Sequence, residues 1–165
     1  MITPMWLSGL RGRRPAAPAL HLLLALGLSL ATALGDTVSW VGGGGNNSWD
    51  NPANWRTGAM PGPADDAVID GAEPLTVLFE SGSVEVKSLQ CENGFSLLGG
   101  NLALTEGSSW VQGALRLAAG KLTVAGAGTT FSATGITTHE GADIEANTGA
   151  QISLSVLQKI NGDAP

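Results

Sequence analysis

The residues best equipped for chemistry lie within "SWVGGGGNNSWDNPANW", Ser39–Trp55, and in the stretch just beyond it. Trp40, Trp49 and Trp55 are three of the chain's five tryptophans, and they sit beside four consecutive glycines. Indole rings stack on the C–H faces of sugars, which makes Trp49 and Trp55 candidates for glycan binding. Large aromatics are also highly buried on average, and Trp40, Trp49 and Trp55 together would equally serve as the packing of a structural cap. Asp50, Asn51, Asn54, Asp65, Asp66 and Asp70 form an oxygen-rich set, the donor type that calcium takes. Asp50, Asn54, Asp65 and Asp66 are the candidate ligands, and calcium is the one cofactor they suggest. Their spacing matches neither an EF-hand loop nor the Gly-Gly-x-Gly-x-Asp repeat. Asn and Asp beside Pro and Gly commonly bond their own backbone in turns. The "GGGG" run lacks the Gly-Lys-Ser/Thr of a phosphate loop and reads as a hinge or wide turn.

Catalytic groups are few. His139 stands beside Glu140 in "TTHEGAD", without the second histidine that a helical zinc site needs. No Gly-x-Ser-x-Gly elbow accompanies it. Glu85, Arg116 and Lys121 are scattered, whereas polysaccharide-cleaving sites need clustered carboxylates. The expectation is a protein that is not an enzyme, with a β-helical polysaccharide lyase or hydrolase as the alternative. Cys91, the single cysteine, excludes an intramolecular disulfide framework. In "SLQCENG" it reads as a small, partly buried residue at a strand end.

The chain has 165 residues and a net charge of −6. Arg11, Arg13 and Arg14 precede a run from Ala19 to Leu34 that is apolar apart from His21, Ser29 and Thr32, and its end carries small residues two apart, at Ala33 and Gly35. This is the layout of a cleaved signal peptide, residues 1–35. The run is shorter than the about 20 residues of a membrane span. Membrane contact is expected only through this segment if it stays uncleaved. Its removal takes three arginines and no acid, so the exported part is more acidic still. Such a surface disfavours nucleic acid as a partner. The expected location is secreted, extracellular or cell-surface.

The remainder must be built to position these groups. "SVEVKSL", "NLALTEG", "ALRLAAG", "KLTVAG" and "QISLSVL" are apolar at alternate positions, the period of β-strands. No segment keeps helical spacing, although Ile152–Ile160 could form a terminal helical turn. The strands also repeat. Leu102 and Leu104 align with Leu122 and Val124 at an offset of 20, and Val84 and Val86 precede Leu102 and Leu104 by 18. Ile144 follows Leu122 by 22, and Ile152 follows Phe131 by 21. Trp110 or Val111 aligns with Phe131, and Leu97, Leu115 or Leu117, and Ile136 form a further set. A loose repeat of short strands with Gly and Asn corners predicts an all-β, short right-handed parallel β-helix of about four coils. The alternative is a β-sandwich or jelly roll, which also uses many short strands.

A β-helix leaves an open interior and unpaired edges at its ends, which native proteins cover. Residues 36–74 are placed as an N-terminal cap segment and 75–165 as the repeat domain. Trp40, Gly42, Trp49, Asn51, Pro52, Asn54, Trp55, Pro61, Asp65, Asp66, Val68 and Ile69 carry a resemblance. The segment is similar to one near the start of secreted bacterial surface proteins with autotransporter- or haemagglutinin-like β-helix repeats. The resemblance covers about 30 residues and the repeat texture downstream. It implies a structural, adhesin-like role with extracellular glycans or cell-surface components as partners. A carbohydrate-binding module using exposed tryptophans is the alternative from another class.

Overall fold

The computed structural model describes residues 35–71 and 74–159. The expected signal segment lies outside the described residues except for Gly35. Strand β1 (Thr37–Ser39) comes first. The first coil holds β2 (Asp66–Ile69), β3 (Thr76–Phe79) and β4 (Ser83–Val86), and the second β5 (Ser88–Cys91), β6 (Gly94–Leu97) and β7 (Asn101–Leu104). The third coil holds β8 (Ser108–Val111), β9 (Leu115–Leu117) and β10 (Lys121–Ala125). In the fourth, β11 (Thr130–His139) fills the first two strand positions and β12 (Asp143–Asn147) the third. β13 (Gln151–Lys159) lies along β11.

Strands of successive coils stack into three columns, and the named strands pair in parallel throughout. The protein is thus a parallel β-solenoid, not the antiparallel sandwich or jelly roll. β1, β2, β5, β8 and the first half of β11 form one column, and β3, β6, β9 and the second half of β11 another. β4, β7, β10 and β12 form a separate sheet.

Alternation decides which side chains meet. In the third column Val84, Leu102, Leu122 and Ile144 share one register, and Val86, Leu104, Val124 and Ala146 another. Phe131 pairs with Ile152 as the repeat predicts. Leu97 pairs with Leu117, one of the two partners expected, while the remaining alignments differ. Phe131 lies opposite Ser109, Val111 opposite Ala133, and Trp110 faces outward opposite Ser132. Leu97 stacks on Leu117 and then His139, while Leu115 stacks on Thr137. Ile136 is exposed instead of joining the core. Of the helical turn expected at Ile152–Ile160, the described residues through Lys159 form strand β13 instead, because their backbone completes the ladder of β11. Each fully buried Leu in this interior contributes roughly 1.5–3 kcal/mol.

One corner shows why glycine recurs. Gly82, Gly100 and Gly120 precede the third-column strands with φ of 83°, 70° and 82°, a region that favours glycine. A Cβ on Gly120 would sit 2.2 Å from the Gly100 carbonyl oxygen, so the corners stack only without side chains. Among the described residues no helix is long and apolar enough to cross a membrane.

Candidate functional site

The Trp-rich segment is an incomplete coil laid on the first. β1 pairs with β2, which sets Val38 over Ala67, and Trp40 continues the strand by donating its N–H to the Val68 carbonyl at 2.8 Å. Ser48 bridges Leu78 in parallel, and the Trp49 N–H donates to the Leu78 carbonyl at 2.8 Å. Trp40 and Trp49 therefore occupy inward positions of this extra coil, above Ile69 and Phe79. Trp55 returns antiparallel to Trp40.

The rings pack edge to face. Centroids are 5.1 Å apart for Trp40–Trp55 and 4.7 Å for Trp49–Trp55. Trp49 also meets Phe79 at 5.8 Å and Phe95 at 6.0 Å. Such pairs add about 0.5–1.5 kcal/mol beyond area burial. Exposure is 0% for Trp49, 1% for Trp55 and 6% for Trp40. Neither Trp49 nor Trp55 offers a ring face to a sugar, so the glycan-stacking assignment to these two is corrected. The Trp55 indole N–H donates to the Trp49 carbonyl at 2.9 Å. The Trp49 indole N–H is buried without an acceptor, a penalty of about 1–3 kcal/mol set against that packing.

The polar residues between the rings hold the fold of the segment. Asn51 caps the 3-10 turn Pro52–Asn54, accepting from the Ala53 N–H at 3.1 Å. Asn54 is fully buried. Its Oδ1 accepts from the Gly44 N–H at 2.8 Å, and its Nδ2 donates to the Ser48 carbonyl at 2.9 Å and to Asn46 Oδ1 at 3.1 Å. A Cβ on Gly44 would lie 2.2 Å from Asn51 Nδ2 and 2.7 Å from Asn54 Oδ1. Glycine beside asparagine thus lets backbone approach amide.

The proposed calcium ligands have separate partners. Asp65 accepts from the Gly62 N–H at 2.8 Å and the Asp36 N–H at 3.1 Å. Asp66 accepts from the Ser88 hydroxyl at 2.6 Å and from Lys87 at 3.1 Å. Asp50 accepts from the Ser81 hydroxyl at 3.4 Å, and Asn54 is the buried hub. Among the described residues no three His, Cys, Asp or Glu side chains are grouped to hold a metal ion.

Three ion pairs join neighbouring coils. Lys87–Asp66 links the second coil to the first, and Arg116–Glu140 and Lys121–Glu145 link the third to the fourth. Arg116 grips Glu140 with two hydrogen bonds, of 3.0 and 2.8 Å. Burial opposes ionisation of Asp66, but the hydrogen bonds from Ser88 and Lys87 and the Lys87 charge outweigh it and hold the carboxyl below its ordinary value. The hydrogen bond and charge of Arg116 lower Glu140, and those of Lys121, with Asn147, lower Glu145. His139 ends β11 with Nε2 2.8 Å from the Ala142 carbonyl. Cys91 ends β5 fully buried, and burial pushes its thiol up to about 12, far from a thiolate nucleophile. Glu85 lies in β4 of the third column and Arg116 in β9 of the second, in different sheets.

Trp110, which the repeat offered as an alternative to Val111 opposite the inward Phe131, instead lies half-buried on the outer face between Gln90 and Ser132. The signal was the strand "SSWV", in which Val111 competes with Trp110 for the inward position. No protein-family model, curated protein or solved structure matches the chain.

Proposed function

We propose that the protein is a secreted, non-catalytic structural module that presents the outer faces of its solenoid at the cell surface or in the extracellular space. The observation that carries this reading is the use of the charged groups. The three ion pairs among the described residues all run between adjacent coils, where they tie the stack together. The signal-like N-terminus supports export, and the resemblance of the cap segment supports an adhesin-like role toward glycans or cell-surface components.

The test is expression of the full chain in a bacterial host, followed by fractionation and intact mass. The expected product lies outside the cytoplasm and begins at Asp36. An intact chain retained in the cytoplasm overturns export. Release of reducing ends from a polysaccharide panel by the purified protein overturns the non-catalytic part.

A further inference from the structure

Seven aromatic side chains lie among the described residues, and six of them, Trp40, Trp49, Trp55, Phe79, Phe95 and Phe131, are buried. Trp110 is the exception, half-buried on the outer face. β8 buries Ser109 and Val111 and turns Ser108 and Trp110 outward. The ladder through Trp110 runs Ser39, Val68, Gln90, Trp110, Ser132 and Ser153, one residue per coil. One pleat away, Ser108, Thr130 and Gln151 share a register, and the Thr130 hydroxyl donates to Ser108 at 3.2 Å. The indole is therefore framed by an amide and by hydroxyls on coils stacked about 4.8 Å apart.

The charge on this face is as informative as the ring. β5, β8, the first half of β11 and the first half of β13 contain no Asp, Glu, Lys or Arg, in a chain of net charge −6. The third-column strands, by contrast, carry Glu85, Lys121, Asp143 and Glu145. The charges of this column are confined to its first coils, where Asp66 of β2 is paired with Lys87. A lipid surface would call for a larger apolar patch than one ring, and a charged polymer for unpaired cations beside Trp110.

We propose that Trp110, with Gln90 and Ser132, forms a platform for an uncharged polysaccharide chain lying across the coils. The apolar C–H face of a pyranose matches the electron-rich face of the indole. Gln90 supplies both a donor and an acceptor, and Ser132 a rotatable hydroxyl, for the sugar's own hydroxyls. The proposal rests on the outer face being the surface the solenoid presents, and it gives that surface a ligand class.

The experiment titrates the purified protein with cellohexaose, chitohexaose and mannohexaose, with polygalacturonate as the acidic control, and follows tryptophan emission. At least one neutral oligosaccharide is expected to shift the emission. Trp110→Ala should abolish the shift and weaken binding about tenfold or more, the scale of one lost stacking contact. Trp110→Phe should retain part of the affinity and Gln90→Ala should lose part, with melting temperatures near that of the unmodified protein. No response to any neutral oligosaccharide overturns the proposal, as does unchanged binding by Trp110→Ala. Tighter binding of polygalacturonate overturns the charge argument. Purified protein is used throughout, so a failure of export leaves this result intact, and a failure to bind leaves the export reading standing.

Discussion

The two ends of the solenoid meet the same problem with different chemistry. At the N-terminal end, the outer edge of β1 is covered: Arg56 donates to the Ser39 carbonyl at 2.8 Å, and Val41 to the Asn54 carbonyl at 2.7 Å. The interior beneath is filled by three indoles. At the other end, β13 pairs with β11 on one side only among the described residues, and Val156 and Leu157 are 42% and 57% exposed. The difference teaches that stacking Leu and Val extends a solenoid but does not finish it. Closure takes side chains large enough to span the interior and amides that satisfy backbone no further coil will pair.

The largest way to break this contrast is Trp49→Ala. The ring touches Trp55, Phe79 and Phe95, so its removal should cost about 3–5 kcal/mol, read from denaturant unfolding. A loss below about 1 kcal/mol, the typical effect of any substitution, would show that the cap is not closed by packing. Next comes Asn54→Ala. It leaves the Gly44 N–H and the Ser48 carbonyl without their side-chain partner, and at about 1–3 kcal/mol for a buried unsatisfied group the expected loss is about 2–3 kcal/mol. Hydrogen exchange should locate that loss in residues 42–55, and protection unchanged there contradicts the hub.

The later coils hold a flaw that runs the other way. Thr137 continues the inward register of Val77, Phe95 and Leu115, is 0% exposed, and has a hydroxyl without a partner. Thr137→Val should therefore stabilise the protein by about 1 kcal/mol, visible as a raised melting temperature. A destabilised variant would mean that the hydroxyl is bonded after all.

Thr137 also marks the limit of what the sequence discloses. The third-column registers were legible because Val84, Leu102, Leu122 and Val86, Leu104, Val124 are apolar pairs spaced two apart in every coil. The second column was not. Its inward set passes from Leu115 to a threonine, and β11 carries a register irregularity between Ala133 and Ile136, which moves the apolar Ile136 outward. The tryptophans were legible as a cap through their position ahead of the repeat, whereas their burial depends on the Ser48–Leu78 bridge, which no local pattern announces. Asp65 and Asp66 resisted assignment for a different reason. A carboxylate that bonds a turn and one that binds calcium have the same neighbours in sequence, and only the partners folded onto them, Gly62, Asp36, Ser88 and Lys87, tell the two apart.

The smallest expected effect separates the ends by pH. The hub of the N-terminal coil is built from Asn46, Asn51, Asn54 and backbone, groups that do not titrate. The third and fourth coils are joined by Arg116–Glu140 and Lys121–Glu145, whose carboxyls lie below their ordinary values when folded. A carboxyl more acidic in the folded than in the unfolded chain adds stability above its unfolded value, and that stability is lost as pH falls through the folded one. Acidification through and below the ordinary carboxylate range should therefore loosen the fourth coil, held by two such pairs, more than the tryptophan coil, beneath which the single pair Lys87–Asp66 joins the first coil to the second. Both pairs are exposed and screened by solvent, so the change should be small and should shrink further at high salt. Exchange protection, corrected for intrinsic rates, should fall within 130–147 between neutral and acid pH while residues 38–55 hold theirs. An equal fall at both ends would mean that the ionic links and the amide hub contribute to one indivisible stack.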